Sequence, residues 1–195
     1  MIMLNLNHHT IILASGSPRR HQFLKEMGIP FEVRLKSVDE IYPPELKGSE
    51  ISDYLAKLKA DAFDGALKKE EILITSDTVV WHNGISLAKA ADAEEAYEMI
   101  KALSGDWHEV ITSVCFTTPN SQKVVNEITR VKFRNLSDEE IRYYINTYKP
   151  YDKAGAYGIQ EWIGLTAIEE IKGSYPNVVG LPTQLVYKTL STMVK

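Results

Sequence analysis

The stretch TIILASGSPRR, Thr10–Arg20, decides how the fold begins. Its first four residues, Thr10–Leu13, are apolar and β-branched, which predicts a short buried strand. Ser17 is a favoured N-cap residue and Pro18 is a favoured first helical residue, so a helix is predicted to start there. The sequence therefore predicts a strand that passes through a short turn directly into a helix.

The turn between this strand and helix is a candidate phosphate site. Ser15 and the first helical turn would present backbone N–H groups at a point where the helix dipole favours an anion. Arg19 and Arg20 add charge-assisted donors that suit a phosphate group. The alternative is an ordinary strand-to-helix turn with two solvated arginines, and this segment alone leaves both interpretations open.

Patterns farther along the chain predict an α/β fold. Ile72–Trp81 is mostly apolar and predicts a strand buried on both faces, and Asn83-Gly84 predicts a hairpin turn after it. Helices alternate with strands early in the chain and hairpins follow, so we expect a mixed, twisted sheet flanked by helices. The other predicted elements are strands at Phe31–Leu35, Val110–Thr118 and Val124–Phe133, helices at Ile51–Ala62, after Asp92, after Ser137 and after Pro182, and loops at Val38–Gly48 and Asp152–Gly164.

Composition narrows the class of protein. The 195 residues suffice for one domain, and we expect a single domain over residues 1–195. A net charge of −4 argues against a broad nucleic-acid surface. The sequence holds neither a membrane-length apolar run nor a signal peptide, and Cys115 is the only cysteine, so we expect a cytoplasmic protein without a disulfide or membrane partner.

Asp77 is the sharpest candidate for chemistry. It interrupts an apolar strand, where a carboxylate is costly unless it is paired, hydrogen-bonded or bound to a metal. Glu40 follows an earlier strand and offers a second carboxylate, and Mg²⁺ typically takes one or two carboxylates together with phosphate oxygens. The alternatives are an acid that caps a neighbouring element and a solvated acidic loop.

Three further residues are weaker candidates taken alone. Lys59 lies at the edge of a helix's apolar stripe, and Lys89 lies in a loop where it could reach a phosphate. Gln160 ends a glycine-rich segment and carries both a donor and an acceptor, which could pair with the imide edge of a uracil-type base. The alternatives are a snorkelling lysine, a solvated lysine and a structural glutamine, and the residues alone leave them open.

Together these segments resemble the Maf family of nucleoside triphosphate pyrophosphatases over nearly the full length of the chain. Seven motifs in the same order are far more specific than any one of them. The segments that carry the resemblance are Leu13–Arg20, Val38–Glu40, Leu58–Ala60, Ser76–Thr78, Leu103–Gly105, Asp152–Gln160 and Gly173–Pro182.

The resemblance implies roles for these residues. It implies that Asp77 is the proton acceptor, and we expect Glu40 to help Asp77 to hold a divalent cation, Mg²⁺ or Mn²⁺. The remaining implied roles are substrate choice for Arg19, Thr78 and Gln160, and the phosphate site for Arg20, Glu40, Lys59 and Lys89. It also implies a fold related to inosine-triphosphate pyrophosphatases, and an assembly that is often a homodimer.

The resemblance further implies a pyrimidine substrate. The branch that hydrolyses dTTP and UTP typically has two adjacent arginines, a threonine after the aspartate, and a glutamine. At the same three places, a sister branch acting on 7-methyl-GTP has Trp-Arg, a glutamine after the aspartate, and a glutamate. Two positions depart from the family pattern: Ala90 stands where a proline usually follows the lysine, and Glu161 stands where a glycine usually follows the glutamine. Two rival functions are a non-catalytic nucleotide-binding regulator of septum formation and a purine-type house-cleaning pyrophosphatase.

Overall fold

Seven strands form one mixed sheet in the order β2-β1-β3-β5-β6-β7, with β4 paired to β3, in the computed structural model, which describes residues 4–194. The strands are β1 Thr10–Leu13, β2 Phe31–Val33, β3 Glu71–His82, β4 Ile85–Leu87, β5 Trp107–Thr118, β6 Ser121–Phe133 and β7 Ile168–Lys172. The helices are α1 Pro18–Glu26, α2 Ser49–Asp61, α3 Ala93–Leu103, α4 Asp138–Tyr148, α5 Trp162–Thr166, α6 Tyr175–Val179 and α7 Thr183–Met193. The expected fold class is confirmed.

The described chain divides into two compact units, the first of which comprises residues 4–77, 112–127 and 180–194. In this unit β1 pairs in parallel with both β2 and β3. Alternate strand residues pack in opposite directions: Ile11 and Leu13 join a core with α1 and α7, whereas Ile12 joins a core with Ala56 and Ala60 of α2. β1 and β3 are therefore largely buried on both faces, which is why they are mostly apolar.

The second unit comprises residues 78–111 and 128–179. Its core packs Val80, Val110 and Phe133 of the strands against α3, α4 and α5. Asn83 and Gly84 both have positive φ, at 49° and 81°, as a two-residue hairpin between β3 and β4 requires. The prediction of one domain over residues 1–195 stays a prediction.

Several predicted elements differ in detail. The strand predicted over Phe31–Leu35 ends at Val33, and Leu35 is 60% exposed. The loop predicted at Asp152–Gly164 gives way to α5 at Trp162. Position 164 of that helix requires a glycine, because a Cβ there would come within 1.7 Å of the Ile159 carbonyl oxygen. Neither β7 nor α6 was predicted, since both are five residues long and β7 is largely exposed.

Candidate active site

The turn after β1 is hydrogen-bonded and partly buried. Ser15 is 7% exposed, and its Oγ accepts a hydrogen bond from the Ser17 N–H at 3.2 Å. His21 of α1 places its Nε2 against the Ser15 carbonyl oxygen. Ser17 is the N-cap residue, as predicted, but its side chain makes no capping hydrogen bond, so the first turn of α1 keeps amides without a side-chain cap.

Arg20 is anchored by main-chain oxygens. Its Nε donates to the Gly180 carbonyl at 2.8 Å, and its Nη1 donates to the Ser76 carbonyl at 3.0 Å and to Ser15 Oγ at 3.4 Å. Burial lowers the pKa of Arg20, while the nearby Asp77 carboxylate opposes that shift. These acceptors offset the unfavourable placement of a cation at a helix N-terminus and fix its position. Arg19 is half-buried one residue earlier in the same turn.

One ammonium group joins the two candidate carboxylates. Lys59 Nζ lies 2.6 Å from Asp77 Oδ1 and 2.9 Å from Glu40 Oε1. The side chains of Lys59 and Asp77 are only 17% and 10% exposed, whereas that of Glu40 is 44% exposed. Thr75, two residues before Asp77, donates from Oγ1 to the Ala56 carbonyl of α2 at 2.7 Å and fixes this helix against the strand. The charge of Asp77 inside the strand is therefore compensated by a lysine from a neighbouring helix.

The carboxylates of Asp77 and Glu40 are also of the type that binds a hard divalent cation. Glu40 and Asp77 converge on one point, the Lys59 ammonium. Within residues 4–194, no group of three or more His, Cys, Asp or Glu side chains converges as a metal site. Two carboxylates nevertheless match Mg²⁺ or Mn²⁺, which keep waters and take substrate phosphate oxygens as further ligands. The donor set therefore fits a cation that binds together with a phosphorylated substrate.

Three predicted residues belong to the second unit. Thr78 is half-buried directly after Asp77 in the chain, and Lys89 and Gln160 are exposed. Lys89 forms an isolated β-bridge with Ala154, so the segment after β4 and the glycine-rich segment that leads to Gln160 are joined. Next to the bridge, the Gly155 N–H donates to the Leu87 and Ala88 carbonyls at 3.0 and 3.1 Å.

The first unit thus brings five predicted residues into contact in two groups: Ser15 with Arg20, and Lys59 with Glu40 and Asp77. Sequence analysis missed His21 and the carbonyl of Gly180 as supports of this site. A histidine inside the first turn of α1 was the available signal for His21. Gly180 is 160 residues from Arg20, and no local pattern indicates such a contact.

The candidate site lies in a chain with close similarity to known proteins. A family model described as Maf-like protein matches residues 10–193. A dTTP/UTP pyrophosphatase of Flavobacterium johnsoniae is 58% identical over 194 residues, which is all of both chains. A dTTP/UTP pyrophosphatase of Bacteroides fragilis is 46% identical over 193 residues, 98% of this chain and 100% of that protein. Among solved structures, the Staphylococcus aureus Ham1 protein is 18% identical with a TM-score of 0.46, covering 64% of this chain and 71% of that chain.

Proposed function

Because the chain belongs to the family of Maf-like proteins, we propose that it is a hydrolase that converts dTTP and UTP to the nucleoside monophosphate and pyrophosphate. The observation that carries the proposal is the Asp77–Lys59–Glu40 cluster, in which a nearly buried carboxylate is held by an ammonium group at 2.6 Å. Full-length relatives that are 46% to 58% identical and bear this activity in their names support it.

Asp77 acts as the proton acceptor in this proposal. A water molecule attacks phosphorus, the bond between the α and β phosphates breaks, and Asp77 takes the proton of the water. Lys59 orients the Asp77 carboxylate through its contact with Oδ1. A divalent cation held by Glu40 and Asp77 would neutralise negative charge on the phosphate groups.

The phosphate chain is held by cations and amides. Arg20, fixed by the carbonyls of Ser76 and Gly180, stabilises charge that develops on the leaving pyrophosphate. Ser15 and the amides of the first turn of α1 bind a phosphate group. Lys59 and Lys89 complete the positive environment.

The nucleobase and sugar are selected by Arg19, Thr78 and Gln160 in this proposal. The Gln160 amide can donate to a carbonyl oxygen and accept from the N–H of a pyrimidine imide. A base that lacks this donor and acceptor pattern is rejected, because it leaves the Gln160 amide without hydrogen-bond partners.

We further propose one catalytic domain over residues 1–195, which works in the cytoplasm, where nucleoside triphosphates are made and used. A homodimer is the proposed assembly, and light scattering of the purified protein tests it. Among residues 4–194, no helix has the length and apolar character needed to cross a membrane.

A nucleotide panel tests the proposed function. Pyrophosphate release is measured with Mg²⁺ or Mn²⁺ from UTP, dTTP, 7-methyl-GTP and ITP. Selective release from UTP and dTTP supports the proposal, and preference for ITP would favour the purine-type enzyme. Ligand-induced stabilisation without release from any nucleotide would favour the non-catalytic regulator.

A further inference from the structure

The segment that presents Gln160 is a tight turn. The Glu161 N–H donates to the Gly158 carbonyl at 3.0 Å, which makes Ile159 and Gln160 the two central residues. Ile159 is 5% exposed and is part of the core, whereas Gln160 is exposed. The direction of the Gln160 side chain therefore depends on how the two ends of this turn are held.

Both ends of the turn are bound by one hydroxyl group. Tyr144 Oη accepts a hydrogen bond from the Gly158 N–H at 3.0 Å and donates one to Glu161 Oε2. Tyr144 is completely buried on α4, so it is a fixed support. Burial and the Glu161 carboxylate raise the pKa of Tyr144, so its hydroxyl stays protonated and remains a donor at neutral pH.

Glu161 is fixed from the other side by a lysine. Lys153 Nζ lies 3.0 Å from Glu161 Oε1 and 2.7 Å from Asp152 Oδ1, and its side chain is only 10% exposed. The Glu161 side chain is 17% exposed. A Cβ at Gly158 would lie 2.9 Å from Glu161 Cδ and 3.0 Å from Lys153 Cε, so these groups pack without spare room.

We propose that Glu161 is a positioning residue that, through Tyr144 and Lys153, fixes the turn carrying Gln160 and so sharpens selection of an imide-bearing pyrimidine. This inference rests on the proposed function and deepens it. A glycine at position 161, the residue usual in the family, cannot make either side-chain contact. This chain thus gains a support for its base-selecting turn from a position that departs from the family pattern.

Three variants test the proposal. Glu161→Ala removes both contacts, Glu161→Gln keeps one carbonyl oxygen that can accept from either Tyr144 or Lys153, and Glu98→Ala removes an exposed glutamate of α3 as a control. For each protein, the ratio of kcat/KM for UTP to that for CTP is measured, because cytosine lacks the imide N–H. The dissociation constant for CTP divided by that for UTP is measured as well, as the binding ratio.

Glu161→Ala is expected to lower both ratios about tenfold, since an imprecisely placed polar group discriminates less. Glu161→Gln is expected to restore part of the loss, and Glu98→Ala to leave the ratios unchanged. Hydrogen exchange of the Gly158 amide is expected to accelerate in Glu161→Ala alone. Unchanged ratios, or an equal loss for UTP and CTP, would overturn the proposal.

Failure of the proposed function can be distinguished from failure of the positioning role of Glu161. If the unmodified protein releases no pyrophosphate from any nucleotide, the hydrolase proposal fails. The binding ratio and the Gly158 exchange rate then still decide the role of Glu161. A lowered binding ratio with faster exchange supports the positioning role, and an unchanged binding ratio overturns it.

Discussion

Replacing Lys59 tests whether the buried ion pair holds the catalytic cluster together. Lys59→Met keeps the length of the side chain and removes the charge that lies 2.6 Å from Asp77 Oδ1. Two unit charges at this distance attract by about 6 kcal/mol at an effective dielectric constant of about 20. Desolvation of both groups offsets most of this attraction, so we expect a net coupling energy of about 2 kcal/mol.

A double-mutant cycle isolates that coupling. The free energy of unfolding is measured by urea denaturation for the unmodified protein, Lys59→Met, Asp77→Asn and the double variant. Lys59→Met alone is expected to cost about 3 kcal/mol, because it leaves the Asp77 carboxylate nearly buried without its cation. In the double variant most of that loss is recovered.

An exposed ion pair provides the matched control. Lys101 Nζ and Asp138 Oδ1 are also 2.6 Å apart, but their side chains are 46% and 62% exposed. The same cycle on this pair is expected to give a coupling several-fold smaller, since solvent screens it. Equal couplings for the two pairs, or a coupling below about 0.5 kcal/mol for Lys59 and Asp77, would refute the reasoning.

Two further perturbations test the scaffold. Arg34 donates to both carboxylate oxygens of Glu71 at 3.0 and 2.9 Å, and its guanidinium lowers the pKa of Glu71 from 4.5 to about 2. The resulting stabilisation is therefore complete above about pH 4.5 and disappears as the pH falls to about 2. The free energy of unfolding, measured by urea denaturation across this range, should therefore decrease less for Arg34→Gln than for the unmodified protein. Gly155→Ala should lower the free energy of unfolding by about 2 kcal/mol, because φ is +66° and a Cβ would lie 3.0 Å from Val80 Cγ1. Gly65→Ala should lower it by only about 1 kcal/mol, because φ is also positive, at +67°, but a Cβ would meet no atom within 4 Å. Equal losses in the two glycine variants, or identical pH profiles for Arg34→Gln and the unmodified protein, would contradict these expectations.

Local patterns predicted several elements of the fold. The apolar residues of β3, the Asn83-Gly84 turn and the start of α4 after Ser137 are encoded by neighbouring residues, and each has the predicted structure. The helix predicted after Asp92 is α3: the Asp92 side chain caps it by accepting from the Glu94 and Glu95 N–H groups, and the Glu95 side chain accepts from the Ala91 N–H. Short elements such as β7 carry too few residues for a periodic pattern, so their existence depends on pairing with β6.

The candidate site was predicted as a set of residues rather than as a geometry. Sequence analysis singled out Asp77 from the cost of a charge in an apolar strand, but its partner Lys59 had only a weak signal. Their contact depends on α2 packing against β3, which is tertiary information. Glu161 was noticed only as a departure from a pattern, and its contacts with Tyr144 and Lys153 became visible in the folded chain.

The most direct measurement is pyrophosphate release from UTP by Asp77→Asn. The variant keeps the shape of the side chain and removes the proton acceptor. With circular dichroism and UTP binding unchanged, kcat is expected to fall by about 10²- to 10⁴-fold. A folded Asp77→Asn protein that releases pyrophosphate at the rate of the unmodified protein would contradict the role of Asp77 as proton acceptor.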